Sequence, residues 1–371
     1  MGKRELLLIC GFVLLGTIAY YATAPAPVPG QQGFSVSRFL DGIKREVHGN
    51  RSSAELTTTS TVALTSGISE IRFETGNAPL TISGEDRKDL ECELHVWSNG
   101  FDETEAKKYA SETTLKTTEA GVTMVIGVRY PEPASQRASL VVRMPKTLAV
   151  RIQSSRGQVE VSDVGSVELT EARGQVSVHD IAGRVTASHR GGKLTVESVA
   201  GLKLNTRGST IALSEIRGEA VLQLQAGELK GDSIKGPLEI ESNGTRIILE
   251  DLEDMRTPIR VNATGGSVTM KGLQTETRID GRDTRIDVAL EKAVSLSIYN
   301  EAEEKTDVTL PETGFKLDAL TSDGKLEVPT ELAEVKSLDN EHRATAVVGG
   351  GGPTITLRTS RGDLTIKTVK E

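Results

Sequence analysis

A short repeat with glycine at its turns dominates the second half of this sequence. The turns that show it best are evenly spaced Arg-Gly pairs, which begin at Arg156, Arg173, Arg190 and Arg207. Between these turns, aliphatic and polar residues alternate, as in QVEVSDV and QVSVHDI. Alternation with a period of two predicts short, half-buried strands, and the glycines lie where the backbone must turn sharply. Each unit is therefore strand, turn, strand, turn.

One such unit cannot bury its own apolar side chains. Stacking units about 4.8 Å apart aligns their aliphatic positions into a continuous core, which is the organisation of a solenoid. We therefore predict an all-β fold, a β-solenoid of about 17-residue coils over residues 146–371. A β-sandwich of short strands is the alternative, and the regular spacing favours the solenoid. The 371 residues include only 6 Phe, 5 Tyr and 1 Trp, which suits narrow aliphatic coils.

The region before the repeat, residues 62–145, is rich in strand patterns but less regular. We predict that it caps the first coil and shields that coil's edge from pairing with other chains. Within it, DETEAKKYASETT, from Asp102 to Thr114, has the charge pattern of one short helix with Asp102 as its N-cap. Trp97, the only Trp, is expected to pack in this capping region.

The N-terminus predicts a membrane anchor or signal segment over residues 1–24. Lys3 and Arg4 precede the apolar run from Leu6 to Tyr21. As a helix this run would rise about 24 Å, slightly short of a bilayer core, so its length leaves both readings open. Pro25, directly after the small residues, favours an uncleaved anchor. Residues 25–61 would then form a spacer.

Charge and cysteine content narrow the localisation and the partners. Basic residues before the apolar run place the body outside the cytoplasm, held by a single membrane pass, or secreted or periplasmic if the segment is cleaved. The formal net charge of −8 makes nucleic acid an unlikely partner, because phosphate backbones are repelled. Cys10 and Cys92 fit neither a disulfide framework nor a zinc or redox motif. No cofactor and no metal are expected.

The Arg column is the candidate site. A constant 17-residue coil would place Arg156, Arg173, Arg190 and Arg207 above one another at the same turn. Adjacent guanidinium groups about 5 Å apart repel by roughly 1 kcal/mol in water, and a bound anion would relieve that repulsion. The column therefore predicts binding of anions or anionic glycans. The alternative is a solvated turn column whose partners are acids such as Glu171.

No catalytic residues are predicted. The five histidines, His48, His95, His179, His189 and His342, are scattered along the sequence. A sugar-cleaving site needs clustered carboxylates, commonly beside aromatic platforms, and the sequence has few aromatics. Motifs such as GxSxG and HExxH are missing from the sequence. We therefore expect a protein that is not an enzyme.

Three segments also carry a resemblance. FETGNAPLTISG, then VVRMPKTLAVRIQSSRGQVEVSDV after the predicted helix, and a final TITLRTSRGDLTIK follow one another in this order. This series resembles the bacterial putative-adhesin, β-strand-repeat domains of envelope proteins, and the resemblance covers Val62 to Glu371. It implies a β-solenoid exposed on the cell envelope, a role in adhesion and no common catalytic residues.

These observations predict an envelope protein that presents a solenoid surface for adhesion or scaffolding. Its expected partners are cell-wall or surface glycans, or other envelope proteins. A polysaccharide-active enzyme is the first alternative, and a groove with at least two converging carboxylates would favour it. An envelope-stress sensing component is the second alternative, and a membrane partner that co-purifies would favour it.

Overall fold

A computed structural model describes residues 52–133, 135–153, 156–252, 254–312 and 314–369. The predicted anchor, residues 1–24, and most of the predicted spacer lie outside these ranges, so both stay predictions. Within the described ranges, no helix combines the length and the apolar character that a bilayer crossing requires.

The fold is the predicted β-solenoid, because strands of successive coils pair in parallel. Val176 pairs with Val159, and Leu202 pairs with Ala220. A sandwich of antiparallel short strands is therefore wrong. The central strands are β8 (Ala149–Gln153), β9 (Val159–Ser162), β10 (Ser166–Ile216), β11 (Ala220–Gly231), β12 (Leu238–Leu249), β13 (Ile259–Thr264), β14 (Ser267–Leu273), β15 (Thr277–Arg282), β16 (Arg285–Leu290), β17 (Leu296–Ala302) and β18 (Thr306–Leu310).

Each coil contributes one segment to each of two strand rows. The first strand row contains β8, β13, β15, β17 and the opening halves of β11 and β12. The second strand row contains β9, β14, β16, β18 and the closing halves of β11 and β12. The long β10 winds through several coils and supplies segments to both rows.

The coil length varies around the predicted value. The step from Val159 to its partner Val176 has the predicted length, whereas the step from Leu202 to Ala220 is longer by one and the step from Leu238 to Ile259 is longer by four. The longest coil places its extra residues at the corner between β12 and β13, where Leu252 and Met255 are fully buried. Because the additional residues lie at corners, the inward and outward positions of the strands remain in register.

One corner of the coils between β9 and β13 uses a polar residue in left-handed backbone. Asp163, with φ 57°, is followed by the buried Val164, and Asp180, with φ 57°, is followed by the buried Ile181. The same corner recurs in later coils at Ser198, Glu215, Ser233 and Asp251. Aspartate and serine suit these corners because their side chains hydrogen-bond locally and tolerate this backbone region better than branched residues do.

The N-terminal end has coils as well as a cap. Its elements are β1 (Ser52–Ala63), β2 (Glu70–Glu74), β3 (Leu80–Glu85), β4 (Asp89–Gly100), α1 (Glu103–Glu112), β5 (Thr114–Ala120), β6 (Thr123–Arg129) and β7 (Gln136–Pro145). Strand β2 pairs in parallel with β6 and β8, and β3 pairs in parallel with β7 and β9. The coil formed by β2 and β3, which is the first in the sequence, therefore lies between the coil of β6 and β7 and the coil of β8 and β9.

The predicted boundaries of this region need correction. The strand-rich part begins at Ser52 and not at Val62, because β1 pairs antiparallel with β4 along its whole length. Strands β1, β4, β5 and helix α1 form the cap, whereas β2, β3, β6 and β7 belong to the stack. The helix is confirmed, and Asp102 caps it by accepting a hydrogen bond from the Glu105 backbone N–H at 2.8 Å.

At the C-terminal end, too, a strand inserts between two strands that are not its neighbours in the sequence. Its strands are β19 (Phe315–Ser322), β20 (Leu326–Glu327), β21 (Lys336–Leu338), β22 (Glu341–Val348), β23 (Thr354–Arg361) and β24 (Leu364–Thr368). Strand β23 pairs in parallel with β17 on one side and β19 on the other, although β19 comes earlier in the sequence. Strand β22 then covers β19 in antiparallel orientation. The last coil of the chain is therefore also held inside the stack.

Candidate functional site

A shallow open groove of about 550 Å³ runs across the outer face of the first strand row. It crosses β10, β11, β12, β13, β15 and the end of β17, and therefore extends along the stacking direction. Two polar walls and a narrow floor line it. Because neighbouring parallel strands are about 4.8 Å apart, each coil supplies one residue to each wall at a regular spacing.

The first wall is a ladder of amides and acids in register. Asn205 pairs with Gln223, which pairs with Glu241 on the next coil, and the ladder continues through Asn262 to Asp280. The side chains of such a ladder point outward because the residues on either side of each point into the core. Carboxamides both donate and accept hydrogen bonds, so this wall offers paired donors and acceptors to a ligand.

The second wall starts at Gln225 and continues through Asn243 and Thr264. It ends at Arg282 and Glu301, whose Nε and Oε2 atoms lie 3.5 Å apart. Most of this wall is therefore neutral, and the cation at its end is paired with an acid.

The floor between the walls holds two buried hydroxyl groups. Thr206 is 1% exposed and Ser242 is 8% exposed, and both line the groove. Neither Thr206 Oγ1 nor Ser242 Oγ has a hydrogen-bond partner among the described residues. Leu224, Ala263 and Gly281 occupy the other floor positions. Because they alternate with the outward wall residues, the side chains of Thr206 and Ser242 face the core, in the same column as Leu224 and Ala263.

One end of the groove carries an aromatic side chain. Arg278 donates to Asp280 from Nε to Oδ2 at 2.7 Å and from Nη2 to Oδ1 at 3.0 Å. Its guanidinium carbon lies 5.0 Å from the ring centroid of Tyr299, which is 40% exposed. The hydrogen bond to Asp280, followed by the charge of that carboxylate, raises the pKa of the Arg278 guanidinium. Asp280 is therefore a fixed, charged wall residue beside an exposed ring.

The predicted Arg column is exposed, but it is not one straight stack. Arg173 lies beside Arg156, because the pairing of their coils has the predicted step. The next step is one residue longer, as the contact between Gly192 and Gly174 shows: a Cβ on Gly192 would lie 2.2 Å from the carbonyl oxygen of Gly174. Arg190 is thus displaced by one position relative to Arg173. Arg207 pairs with Gln225 and lies just beyond the start of the second wall.

All four arginines of the column are exposed. Within the described residues, none of the four forms an ion pair with Glu171 or with another carboxylate. Anion binding by Arg156, Arg173, Arg190 and Arg207 stays a prediction.

The described histidines lie apart from the groove. His189 is 2% exposed, and its ring nitrogens contact Ser209 and Gly174. Burial lowers the pKa of His189. His342 Nδ1 lies 2.7 Å from the Ser337 hydroxyl on the β21–β22 hairpin. The groove lining contains no histidine.

Trp97 lies on strand β4 of the capping region, where it packs on the outer surface. Its ring is 39% exposed and stacks on His95 with centroids 4.0 Å apart. Position 97 lies on the outward face of β4, whereas its neighbour Val96 faces the core. The alternation within β4 predicts this position, because Leu90, Cys92 and Leu94 are buried on the same face of the strand as Val96, and Trp97 falls on the opposite face.

The chemistry of the groove suits recognition. Among the described residues, no group of three or more His, Cys, Asp or Glu side chains is arranged to hold a metal ion. Glu241 is the central carboxylate, and it accepts a hydrogen bond from Gln223 Nε2 at 3.4 Å. Both oxygens of Asp280 are occupied by Arg278, which hinders this carboxylate from giving or taking a substrate proton.

Comparison with known families adds to this geometry. A family model described as Toastrack DUF4097 matches residues 68–367. The chain belongs to the Toastrack family. The match covers the solenoid and most of its N-terminal cap, and it agrees with the resemblance to repeat domains that the sequence carries.

Solved structures similar to this Toastrack chain share little sequence with it. One is a putative adhesin from Parabacteroides distasonis, with 11% identity, covering 67% of this chain and 95% of that chain at a TM-score of 0.36. Another is a putative lipid binding protein from the same species, with 11% identity, 87% and 98% coverage and a TM-score of 0.35. A third is a putative adhesin from Parabacteroides merdae, with 11% identity, 85% and 96% coverage and a TM-score of 0.33. No curated protein matches the sequence.

The groove of this Toastrack domain was missed by the sequence analysis. The Arg-Gly turns drew attention to corners, whereas the groove is built from outward positions between them. A signal was present: Asn205, Gln223 and Glu241 follow one another at a constant step, each flanked by residues that face the core. This ladder becomes visible in the sequence only when the coils here are taken to be one residue longer than the spacing of the Arg-Gly pairs.

Proposed function

We propose that this Toastrack domain is a non-enzymatic binding module of the cell envelope that holds an extended polymer along its groove for adhesion or scaffolding. The in-register ladder from Asn205 to Asp280 is the observation that carries this proposal. A polymer with repeating hydroxyl or amide groups meets the same kind of hydrogen-bonding side chain on every coil. Glycans of the cell wall or cell surface have that chemistry.

Placement at the envelope rests on the N-terminal sequence. Lys3, Arg4 and the apolar run from Leu6 to Tyr21 support a membrane anchor, with the solenoid outside the cytoplasm. A binding module that is anchored to the membrane needs an exposed surface on which a partner can bind. The exposed polar walls of the groove fit that requirement.

Binding to a glycan array tests the proposal. The full chain, purified in mild detergent, is expected to bind a subset of envelope glycans and to leave them intact. The double variant Gln223→Ala/Asn262→Ala should weaken that binding by about tenfold, because each lost hydrogen bond is worth about 0.5–1.5 kcal/mol. Thr269→Ala, on the outer face of the second strand row, is the matched control. Unchanged binding by the double variant would remove the groove from the function.

A glycan-active enzyme is the second candidate, because the groove holds the carboxylates Glu241, Asp280 and Glu301. Paired carboxylates are the usual machinery of glycoside hydrolysis. Arg278 occupies Asp280, and Arg282 pairs with Glu301, which argues against a free acid and base pair. Shortened products in the same binding experiment, lost in Glu241→Gln, would replace the binding proposal with this one.

A further inference from the structure

Strand β1 forms an open edge of the N-terminal cap. It pairs with β4 along its whole length, and no other described strand pairs with it. Alternate backbone N–H and C=O groups therefore point away from β4 along a strand of 12 residues. Such a row of unpaired groups is a template to which another strand can add. The cap thus covers the stack but presents an edge of its own.

The sequence of β1 lacks the features that usually protect an edge. Soluble proteins blunt their edge strands with lysine, proline, bulges or short length. The segment SSAELTTTSTVA contains neither lysine nor proline, and its register with β4 is unbroken from end to end. Glu55 is its single charged residue. Its threonines favour the strand conformation, so β1 is both well formed and open to pairing.

Other edges of the described sheet are protected or shorter. Strand β5, the other edge of the cap, carries Lys116 and Glu119 within its 7 residues. Strands β20 and β21 have only 2 and 3 residues. Strand β22 is paired by β21 as far as Arg343, which leaves a short free edge from Ala344 to Val348. Strand β1 is longer than each of these and is the one with the least protection.

The inner face of β1 also carries an apolar side chain that is incompletely covered. Leu56 pairs with Val96, so both side chains lie on the core side of the sheet. Val96 is 1% exposed, whereas Leu56 is 38% exposed. Helix α1 contacts this face beside Ala54, where Ser98 Oγ lies 3.3 Å from the Ala54 carbonyl oxygen and 2.6 Å from that of Ala106. A strand added to β1 would bury the rest of Leu56.

A second copy of β1 suits this edge. Antiparallel pairing about a twofold axis gives the same contacts to both strands. An axis through Thr57 places Leu56 of each copy opposite Thr58 of the other. Glu55 then lies opposite Thr59, so the two carboxylates of the pair do not face each other. Cross-strand pairs of threonine are favourable, whereas like charges directly opposite each other are not.

We infer that this Toastrack chain forms a symmetric dimer in which the β1 strands of two copies pair antiparallel. Through β4, β7 and β3, strand β1 continues the row that contains β9, which is the second strand row. The dimer therefore joins the second strand rows of two copies into one sheet. The groove crosses the first strand row and stays open, so the dimer carries two grooves. This inference does not depend on what the groove binds.

Sedimentation equilibrium of the full chain in a density-matched mild detergent tests the dimer. The wild-type chain is expected to have the mass of two chains and to dissociate on dilution. Leu56→Lys should raise the dissociation constant by at least about tenfold, because it places a charge beneath the added strand. Thr58→Lys, at an exposed position, is the second variant. Thr117→Lys, on the edge strand β5, is the matched control and should leave the dimer intact. Thermal unfolding of each variant verifies the fold.

Cysteine crosslinking locates the interface. In a Cys10→Ser background, Thr57→Cys or Thr58→Cys is expected to form a disulfide between two chains on mild oxidation. A twofold axis near the middle of β1 brings the two copies of one of these residues within disulfide reach. Thr117→Cys, on β5, is the control and should give no crosslink. Cys92 is buried, so it can stay in every variant.

Each outcome decides for or against the β1 dimer. A dimer that both lysine variants of β1 weaken and that crosslinks through β1 supports the inference. A mass of one chain at every concentration overturns it. A dimer that withstands Leu56→Lys and Thr58→Lys, or that crosslinks through Thr117→Cys and not through β1, uses another surface and also overturns it. Assemblies larger than two chains would contradict the closed twofold pairing.

Discussion

His189 joins its coil to the coil before it, because its Nε2 donates a hydrogen bond to the carbonyl oxygen of Gly174 at 3.1 Å. The other ring nitrogen, Nδ1, lies 2.9 Å from the hydroxyl oxygen of Ser209, which donates a hydrogen bond to the carbonyl oxygen of Arg207 at 3.4 Å. Burial of the ring favours its neutral form. Both contacts lie at the corner where the Arg-Gly turns occur, so a buried polar side chain ties three turns together.

Acid should therefore destabilise the fold through His189. Burial lowers the pKa of His189, and the Gly174 hydrogen bond only partly opposes this. The unfolded chain takes up the proton near the ordinary value of about 6.5, before the folded chain does. Stability is expected to fall as the pH drops below about 6.5 and to stop falling, for this group, below the folded pKa. Urea unfolding at a series of pH values measures it.

His189→Gln should remove this component of the pH dependence. His179→Gln, a change at a partly exposed histidine, is the control and should retain the component. A pH profile that is identical in wild type and His189→Gln would show that this ring is not the group responsible.

The aliphatic core should not tolerate a charge. Val178 is 0% exposed and stacks on Val161 of the coil before it. Val178→Asp places an unpaired carboxylate among aliphatic neighbours and is expected to cost on the order of 4 kcal/mol or more. Thr186→Asp, at an exposed strand position, should change the free energy of unfolding by less than about 0.5 kcal/mol. Preserved protease resistance in Val178→Asp would contradict a continuous core.

Two glycines at neighbouring turns should respond differently to alanine. A Cβ on Gly192, at φ +88°, would lie 2.2 Å from the carbonyl oxygen of Gly174, whereas one on Gly208, at φ +64°, would meet nothing within 4 Å. Gly208→Ala should cost about 1–2 kcal/mol, the strain of left-handed backbone. Gly192→Ala adds a backbone clash and should lower the melting temperature clearly more. Equal shifts in the two variants would mean that the coils are not this close at the turn.

Proline distinguishes inner strands from edge strands at the C-terminal end. Thr356 of β23 pairs with Ser297 on one side and with Asp318 on the other. Thr356→Pro is expected to cost about 3 kcal/mol or more, because proline lacks the N–H that a central strand needs. Ser337→Pro, in the short exposed edge strand β21, should cost much less. Hydrogen exchange of the β17 amides reports the difference, and a tolerated Thr356→Pro would place β23 at an edge.

The coils were predictable because their signal is local. Alternation in QVEVSDV and QVSVHDI reflects the two faces of a strand, and that pattern survives in every coil. The coil length was less predictable, because extra residues at the corner near Leu252 leave the strand pattern untouched. The helix was predictable for the same local reason, since Asp102 and the charges after it act within two turns.

The arrangement of the ends was not predictable from periodicity. Strands β2, β6 and β8 all carry the same alternation, so nothing local decides that β2 lies between the other two. The groove was missed for a related reason. Outward residues such as Asn205 and Gln223 become a site only when the register places them side by side, and the register depends on the coil length.

The interleaved ends of the stack have a consequence for the order of folding during synthesis. Strand β19 leaves the ribosome before β23, yet β23 is the strand that joins it to β17. A chain that has been made only as far as Pro353 therefore holds two strand edges without their shared partner, and such edges invite pairing with other chains. Once Thr354 to Thr368 has been synthesised, β23 can pair with both β17 and β19. This last segment therefore covers both strand edges and protects them from pairing with other chains.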